Sequence, residues 1–444
     1  MKKLTLIALV FLLFSCSTDT TDPIVDTGDD TTDETPTPTE SSPNILLIIA
    51  DDMGLDASPG YNLGSVKPNM PNLQNMINTG LRFNNLWSYP TCTPTRSSII
   101  TGKYGFRTNV MNVNDVLSTS ETSIQQHIAS NTGNAYSTAV IGKWHLSMDA
   151  SHPTNMGIDY YAGLINGGVQ SYWNWNFTEN GQTSSSSEYA TTKFTDLAID
   201  WLDDQTKPWF LWLAYNAPHT PFHLPPNELH SQGVLPTDQA SIDANPLPYY
   251  MAMLEAMDSE TGRLISSMTQ EEKDNTVIIF IGDNGTPNQV VQEYSSQRAK
   301  GSVYQGGVNV PMVVSGLDVS RMNQTEDALI NTTDLFTTVA EITGAGGSSI
   351  NDSQSFMPLL TDANATKREY VYTEIGKDTG GFDYTIRNAT HKYILFDNGS
   401  EALYNLVNNP LENPNLLNPA QLPLSALDST IKDELTDKVA EIRQ

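Results

Sequence analysis

Two cysteines in 444 residues rule out a disulfide framework or a cysteine-rich zinc centre. Basic residues are scarce as well: 23 Lys and Arg face 51 Asp and Glu, for a formal charge of -28. That imbalance excludes nucleic acid as a partner and argues against a generally anionic membrane surface. Long apolar runs are missing. Leu4–Phe14 is too short to span a bilayer, and no later segment is long and apolar enough. No paired-histidine helix motif occurs among the 7 His, and no internal repeat is visible.

What is present is a hydrophobic content of 38%, that of a folded globular chain long enough for a large domain and a smaller one. Lys2 and Lys3 followed by the Leu4–Phe14 run suit a signal peptide over residues 1–15. The run ends in Leu13-Phe14-Ser15-Cys16, which resembles a bacterial lipobox with an unusually bulky Phe14. The resemblance implies cleavage before Cys16, a lipid anchor on its thiol, and an exported lipoprotein in the periplasm or at the cell surface. A plain secretory signal cut elsewhere is the alternative. Residues 17–42 carry eight acids and no base, and their Thr, Asp and Pro cannot bury a core, so residues 16–42 read as a lipidated Cys on a disordered acidic linker. With Cys16 lipidated, Cys92 has no disulfide partner and calls for a chemical explanation.

From Pro43 onward short apolar runs recur at Asn44–Ala50, Ala139–Ile141, Trp209–Ala214, Thr276–Ile281 and Val310–Val314. Consecutive apolar positions suit parallel strands buried on both faces. Helical spacing separates them, as in Thr192–Asp203 and Tyr249–Met268. The alternation predicts an α/β fold: a doubly wound, mostly parallel sheet with helices on both faces, over residues 43–361. Residues 362–444 predict a small C-terminal α+β subdomain, with short antiparallel strands at Tyr370–Glu374, Tyr384–Asn388 and Lys392–Phe396 and a polar helix from Asp428.

Chemistry-bearing residues follow the strands. Asn44–Ala50 runs into Asp51-Asp52, Thr276–Ile281 into Gly282-Asp283-Asn284-Gly285, and Ala139–Gly142 into Lys143-Trp144-His145. Trp209–Ala214 is followed by Pro218-His219-Thr220-Pro221. Open α/β sheets bind ligands beyond the carboxyl ends of their strands, so these segments predict one shared site. Asp51, Asp52, Asp283 and Asn284 are hard oxygen donors suited to calcium or magnesium, although Asp-Asp and Gly-Asp-Asn-Gly are also common turn sequences. Cys92 precedes Thr-Pro-Thr-Arg96-Ser-Ser in what reads as a helix start, where unpaired N–H groups favour an anion. A lone cysteine is as a rule a small buried hydrophobe.

Cys92-Thr-Pro-Thr-Arg96 followed by Thr101-Gly-Lys103 resembles the signature of the type I formylglycine-dependent sulfatases, of the alkaline phosphatase superfamily. Gly-Lys-Trp-His-Leu at 142–146, Pro-His-Thr-Pro at 218–221, Gly-Asp-Asn-Gly at 282–285 and Lys300-Gly-Ser-Val-Tyr-Gln-Gly-Gly stand in the family's order. Leu403–Glu412 is similar to its C-terminal part, and the resemblance covers roughly residues 43–420.

The resemblance implies hydrolysis of sulfate esters. Cys92 would be oxidised by a maturation enzyme to formylglycine, whose hydrate offers one hydroxyl to attack sulfur and another to release sulfate. Asp51, Asp52, Asp283 and Asn284, with the modified Cys92, would hold calcium, with magnesium second. Arg96 would fix the hydroxyls, Lys103 would support the loop, and Lys143 and Lys300 would clamp the sulfate. His219 would be the acid to the leaving alcohol and His145 the base for sulfate release. His223, the Tyr172-Trp173-Asn-Trp175 patch, Arg107 and Arg298 are candidates for substrate contact, with core or surface roles as the alternative. The expected substrate is a sulfated poly- or oligosaccharide. Two other readings are a phosphate or phosphonate monoester hydrolase of the same superfamily and a non-catalytic lipoprotein that binds sulfated glycans.

Overall fold

A computed structural model of the chain describes residues 42–377 and 380–444. The signal-like segment, Cys16 and the acidic linker up to residue 41 lie outside the described residues. Eleven strands form the main sheet: β1 (Asn44–Ala50), β2 (Leu81–Trp87), β3 (Ser137–Lys143), β4 (Tyr160–Leu164), β5 (Trp175–Glu179), β6 (Gln182–Ser186), β7 (Trp209–Ala214), β8 (Thr276–Gly282), β9 (Asn309–Gly316), β10 (Gln324–Glu326) and β11 (Ile330–Asn331). Their order is β10-β2-β9-β8-β1-β7-β3-β4-β5-β6, with β11 beside β2. The run β8-β1-β7-β3-β4 is parallel.

Strand β1 shows why the apolar runs are continuous. Its side chains alternate between two cores: Ile45, Leu47 and Ile49 enter one, and Leu46, Ile48 and Ala50 the other. Each Leu or Ile buried this way contributes about 1.5–3 kcal/mol. The first core is closed by the helices Cys92–Thr101, Ile124–Thr132 and Asp334–Ile342. The second is closed by Pro71–Thr79, Ala190–Asp203 and Leu247–Ser267. The sheet is therefore wound on both faces, and the helices expected at Thr192–Asp203 and Tyr249–Met268 are the last two of these.

One direction differs from expectation. The Val310–Val314 run lies in β9, which is antiparallel to both β8 and β2. Its continuous apolar character reflects an interior position between two strands and carries no information about direction. The consequence is functional: the approach to β9, residues 300–308, reaches the same edge as the carboxyl ends of β1, β3, β7 and β8.

Four antiparallel strands follow, at Val371–Gly376, Phe382–Arg387, His391–Leu395 and Glu401–Asn405. The last was not anticipated as a strand, because Glu-Ala-Leu-Tyr-Asn alternates over too few residues to stand out. The helix Ala426–Ile442 lays Ile431, Leu435 and Val439 on Tyr372, Ile386, Tyr393 and Leu403. Lys392 and Glu412 form a buried ion pair at 2.6 Å, and the Gln305 N–H donates to Glu412 at 2.9 Å. This ties the C-terminal sheet to the segment that carries Lys300. Among the described residues no helix is long and apolar enough to cross a membrane.

Candidate active site

Cys92 is the first residue of the helix Cys92–Thr101, every residue of which is buried. A polar helix can be buried only if its hydroxyls are satisfied. Thr95 donates to the Thr91 carbonyl at 3.0 Å, Ser98 pairs with the Thr332 hydroxyl at 2.7 Å, and Thr101 donates to the Ser97 carbonyl at 2.7 Å. Pro94 lies in the first turn, where its missing N–H costs nothing. Gly102 ends the helix at φ +65, and a Cβ there would meet the Phe336 ring at 2.9 Å. The helix is thus seated deep in the fold with its N-terminus, and Cys92, facing the strand ends.

The Cys92 thiol is free and buried, and burial pushes its pKa up, with Lys143 opposing. Its Sγ lies 3.2 Å from His145 Nδ1. His145 follows β3 with φ +56, a left-handed backbone that is uncommon and costly for a residue other than glycine. Burial, then Lys143 and Arg96, hold its pKa far below the ordinary value, so it is neutral.

Three carboxylates and three cations surround this pair. Lys143 Nζ is 2.6 Å from Asp51 Oδ2, Arg96 Nη2 is 2.9 Å from Asp283 Oδ2, and Lys300 Nζ is 2.6 Å from Asp52 Oδ1. Arg96 also donates to the Lys143 carbonyl at 2.7 Å. The Asp52 N–H donates to Asp283 Oδ1 at 3.0 Å, and Asn284 Nδ2 donates to Asp52 Oδ1 at 2.7 Å. His219 Nε2 is 3.9 Å from Asp52 Oδ2, and its Nδ1–H donates to the Thr220 carbonyl at 2.8 Å. Burial pushes the His219 pKa down to about 4 against the pull of Asp52. For Asp52, burial raises the pKa, but Lys300, then His219 and Lys143, outweigh it and hold the carboxyl ionised.

Two oxygens in the cluster have no hydrogen-bond partner although they are buried: Asp51 Oδ1 and Asn284 Oδ1. An orphaned buried oxygen is costly unless a cation takes it. Ligand atoms of Asp51, Cys92 and Asp283 lie within 4.8 Å of one another, as do those of Asp51, Asp52 and His219. Asp51, Asp52, Asp283 and Asn284, just beyond the ends of the neighbouring strands β1 and β8, offer hard oxygens that fit calcium or magnesium, with the Cys92 sulfur and a His219 nitrogen beside them.

The predicted residues Asp51, Asp52, Cys92, Arg96, Lys143, His145, His219, Asp283, Asn284 and Lys300 thus converge. Lys103 stands apart, its ammonium held by Glu121 at 2.6 Å. Arg107 pairs with Asp352 at 2.9 Å, and Arg298 donates to the Glu412 carbonyl at 2.8 Å, so both guanidinium groups are engaged with structural partners. Of the aromatic patch, Tyr172 and Trp175 are core residues, whereas Trp173 is 39% exposed and leans on the rings of Tyr189 and His223, both at 5.0 Å.

Other contributors escaped the sequence reading. Asn114 Oδ1 lies 2.9 Å from His145 Nε2, and nothing in Val113-Asn114-Asp115 advertises it. Tyr250 donates to the Asp52 carbonyl at 2.8 Å, and Tyr172 to the His219 carbonyl at 2.8 Å. Gly167 and Gly168 let the chain pass the two histidines: a Cβ on Gly167 would come 2.4 Å from the His145 ring, and one on Gly168 3.2 Å from His219. That glycine pair, placed just after a strand, is a signal that could have been noticed.

A sulfatase family profile matches residues 43–345. Arylsulfatase G of Rattus norvegicus is 27% identical over 364 residues, which cover 68% of this chain and 65% of that protein. The chain therefore spans just under two thirds of the length of that relative. A sulfatase of Formosa agariphila is 25% identical over 482 residues and 86% of each chain. Among solved structures, Ps i-CgsB superposes with a TM-score of 0.75 at 25% identity, covering 91% of this chain and 92% of that one. The PsFucS1 sulfatase of Pseudoalteromonas sp. shares the fold, with a TM-score of 0.69 at 21% identity over 90% and 91% of the two chains.

Proposed function

Since the chain belongs to the sulfatase family, we propose that it hydrolyses sulfate esters, with residue 92 as the nucleophile after oxidation to formylglycine. One observation carries this reading: the buried Cys92 sits among three carboxylates, three balancing cations, two histidines and two orphaned oxygens. In a chain of charge -28 this is where an anion can be met.

Hydrated formylglycine would supply two hydroxyls on one carbon, one to attack sulfur and one to release sulfate, which a thiol does not. Asp51, Asp52, Asp283 and Asn284 would hold a divalent cation, calcium before magnesium, to supply Lewis acidity beside residue 92. Lys143 and Lys300 offset the charge of sulfate oxygens from fixed positions, without reorganisation during reaction. Arg96, locked by Asp283 and the Lys143 carbonyl, orients residue 92. His219 is the proton donor to the leaving oxygen. Its Nδ1–H is committed to the Thr220 carbonyl, so Nε2 is the nitrogen that takes up a proton, beside the carboxylate of Asp52. As the imidazolium it passes that proton to the leaving oxygen, returning to the neutral Nδ1–H form. The His219 side chain is 20% exposed, on the open side where the alcohol must leave, whereas His145 lies buried against residue 92. His145 accepts the proton whose loss releases sulfate.

The proposed substrate is a sulfated poly- or oligosaccharide. Exposed Trp173 supports this, because an indole face suits the C–H face of a pyranose. Ps i-CgsB has been solved with k-i-k-neocarrahexaose and BT4656 with D-glucosamine-2-N,6-O-disulfate, both sharing this fold. Export and anchoring through Cys16, and maturation by a formylglycine-forming enzyme, complete the proposal.

The test is sulfate release by protein purified from a host that contains the maturation enzyme. Mass spectrometry of the Cys92 peptide should find aldehyde in place of thiol. Aryl sulfate and members of a sulfated-glycan panel should be turned over well ahead of aryl phosphate, and Cys92→Ala should lose turnover while keeping its circular dichroism spectrum. Preference for phosphate, or activity retained by Cys92→Ala, would overturn the reading.

A further inference from the structure

His145 has a polar partner on each ring nitrogen. Nδ1 faces Cys92 Sγ at 3.2 Å, and Nε2 faces Asn114 Oδ1 at 2.9 Å. An amide oxygen only accepts, so the nitrogen opposite it carries the hydrogen, and in a neutral imidazole the other nitrogen then holds a bare lone pair. We propose that Asn114 is a positioning residue that holds His145 in the Nε2–H tautomer and so keeps the Nδ1 lone pair on residue 92.

Asn114 is placed by the same helix that carries Cys92. Its backbone N–H donates to Thr93 Oγ1 at 3.2 Å, and Thr93 is the next residue after Cys92 and fully buried. Its φ of +68 is a left-handed value that Asn tolerates and most residues do not. Asp115 tightens the loop by accepting from the N–H groups of Met111 at 2.8 Å and Asn112 at 2.7 Å. The group behind the imidazole and the group in front of it are therefore held in register by one rigid element. The ring has little room to rearrange, because Gly167 packs so closely that a Cβ would reach within 2.4 Å of Cε1 and Nε2.

The catalytic consequence rests on the sulfate-ester reading; the tautomer does not. When a hydroxyl on residue 92 gives up its proton, the O–H bond breaks as an Nδ1–H bond forms, and the imidazolium keeps its Nε2–H bond to Asn114. The opposite tautomer would present an N–H where a lone pair is needed.

The experiment uses the full chain with Cys92 left as thiol and histidine labelled with nitrogen-15. The His145 ring signals are those lost in His145→Gln. Wild type should show the Nε2–H pattern. Asn114→Gly, which suits the left-handed backbone but removes the acceptor, should show mixed tautomers, and Asn114→Asp should restore the wild-type pattern. In matured enzyme, Asn114→Gly should lower kcat on aryl sulfate roughly 10- to 100-fold with KM little changed, and Asn114→Asp should recover most of it. An Nδ1–H pattern in wild type, an unchanged pattern in Asn114→Gly, or no recovery in Asn114→Asp would overturn the assignment. Because the ring signals need no turnover, a wild type that released no sulfate would refute the proposed function and leave the tautomer to its own result.

Discussion

The ammonium of Lys143 lies 2.6 Å from the carboxylate of Asp51, and neither side chain has any solvent exposure. The two residues end β3 and follow β1, with β7 between those strands, so the pair locks the sheet edge across three strands. Burial pushes the Asp51 carboxyl up, with Lys143 opposing. Lys143→Met keeps the bulk and removes the charge, which leaves a buried carboxylate without its nearest cation. In chelator this should cost about 3–5 kcal/mol in urea unfolding, and sulfate release should fall to background. A loss under about 1 kcal/mol would mean that the pair does not hold the edge together.

Metal removal tests the orphaned oxygens of Asp51 and Asn284 directly. The protein is treated with chelator after residue 92 has been matured, so that no thiol remains there. Added calcium should then raise Tm in a concentration-dependent way, and zinc should do so less, because Asp51, Asp52, Asp283 and Asn284 offer hard oxygens. At a thousandfold excess over Kd the gain is about 4 kcal/mol. Asp283→Ala should abolish the response. A Tm indifferent to calcium at every concentration would remove the metal from the mechanism.

Trp173 is where the proposed recognition of a sugar can be tested apart from the chemistry. Trp173→Ala should reduce kcat/KM on a sulfated oligosaccharide roughly 3- to 10-fold, the worth of one ring stack. Turnover of a small aryl sulfate should stay unchanged, and Trp173→Tyr should recover most of the loss. Equal losses on both substrates would assign the ring a structural part only.

Stability in acid depends on His223, whose Nε2 meets the Tyr189 hydroxyl at 3.1 Å and whose Nδ1 meets the Pro221 carbonyl at 3.0 Å. Burial pushes its pKa down to about 4 from 6.5. Between those values the unfolded chain binds the proton and the folded chain does not, so stability falls as pH falls through that window. His223→Gln cannot titrate yet still offers Tyr189 a partner. Between about pH 7 and about pH 4.5 it should lose less stability than wild type, by up to about 3 kcal/mol, in paired urea titrations. Parallel losses would refute the assignment.

Much of this was legible along the chain. The runs Asn44–Ala50, Trp209–Ala214 and Thr276–Ile281 match β1, β7 and β8 to within a residue, because a strand buried on both faces is apolar at nearly every position. Asp51 and Asp283 stand out because they break two of those runs, and Lys143 because it breaks the Ala139–Gly142 run, where a sheet presents its ligands. Strand β6 gave no such signal, since Gln182–Ser186 is polar and mostly exposed.

Local sequence determined which chemical groups stand at each strand end, since side-chain type and strand periodicity are properties of a few neighbouring residues. Tertiary packing alone decided the direction of β9, the arrival of Lys300 at Asp52, the diversion of Lys103 to Glu121, and the meeting of Asn114 with His145. Each of these depends on which distant segments share a wall of the core. That outcome is set by the summed burial and hydrogen bonding of the whole fold, which no window of the sequence contains.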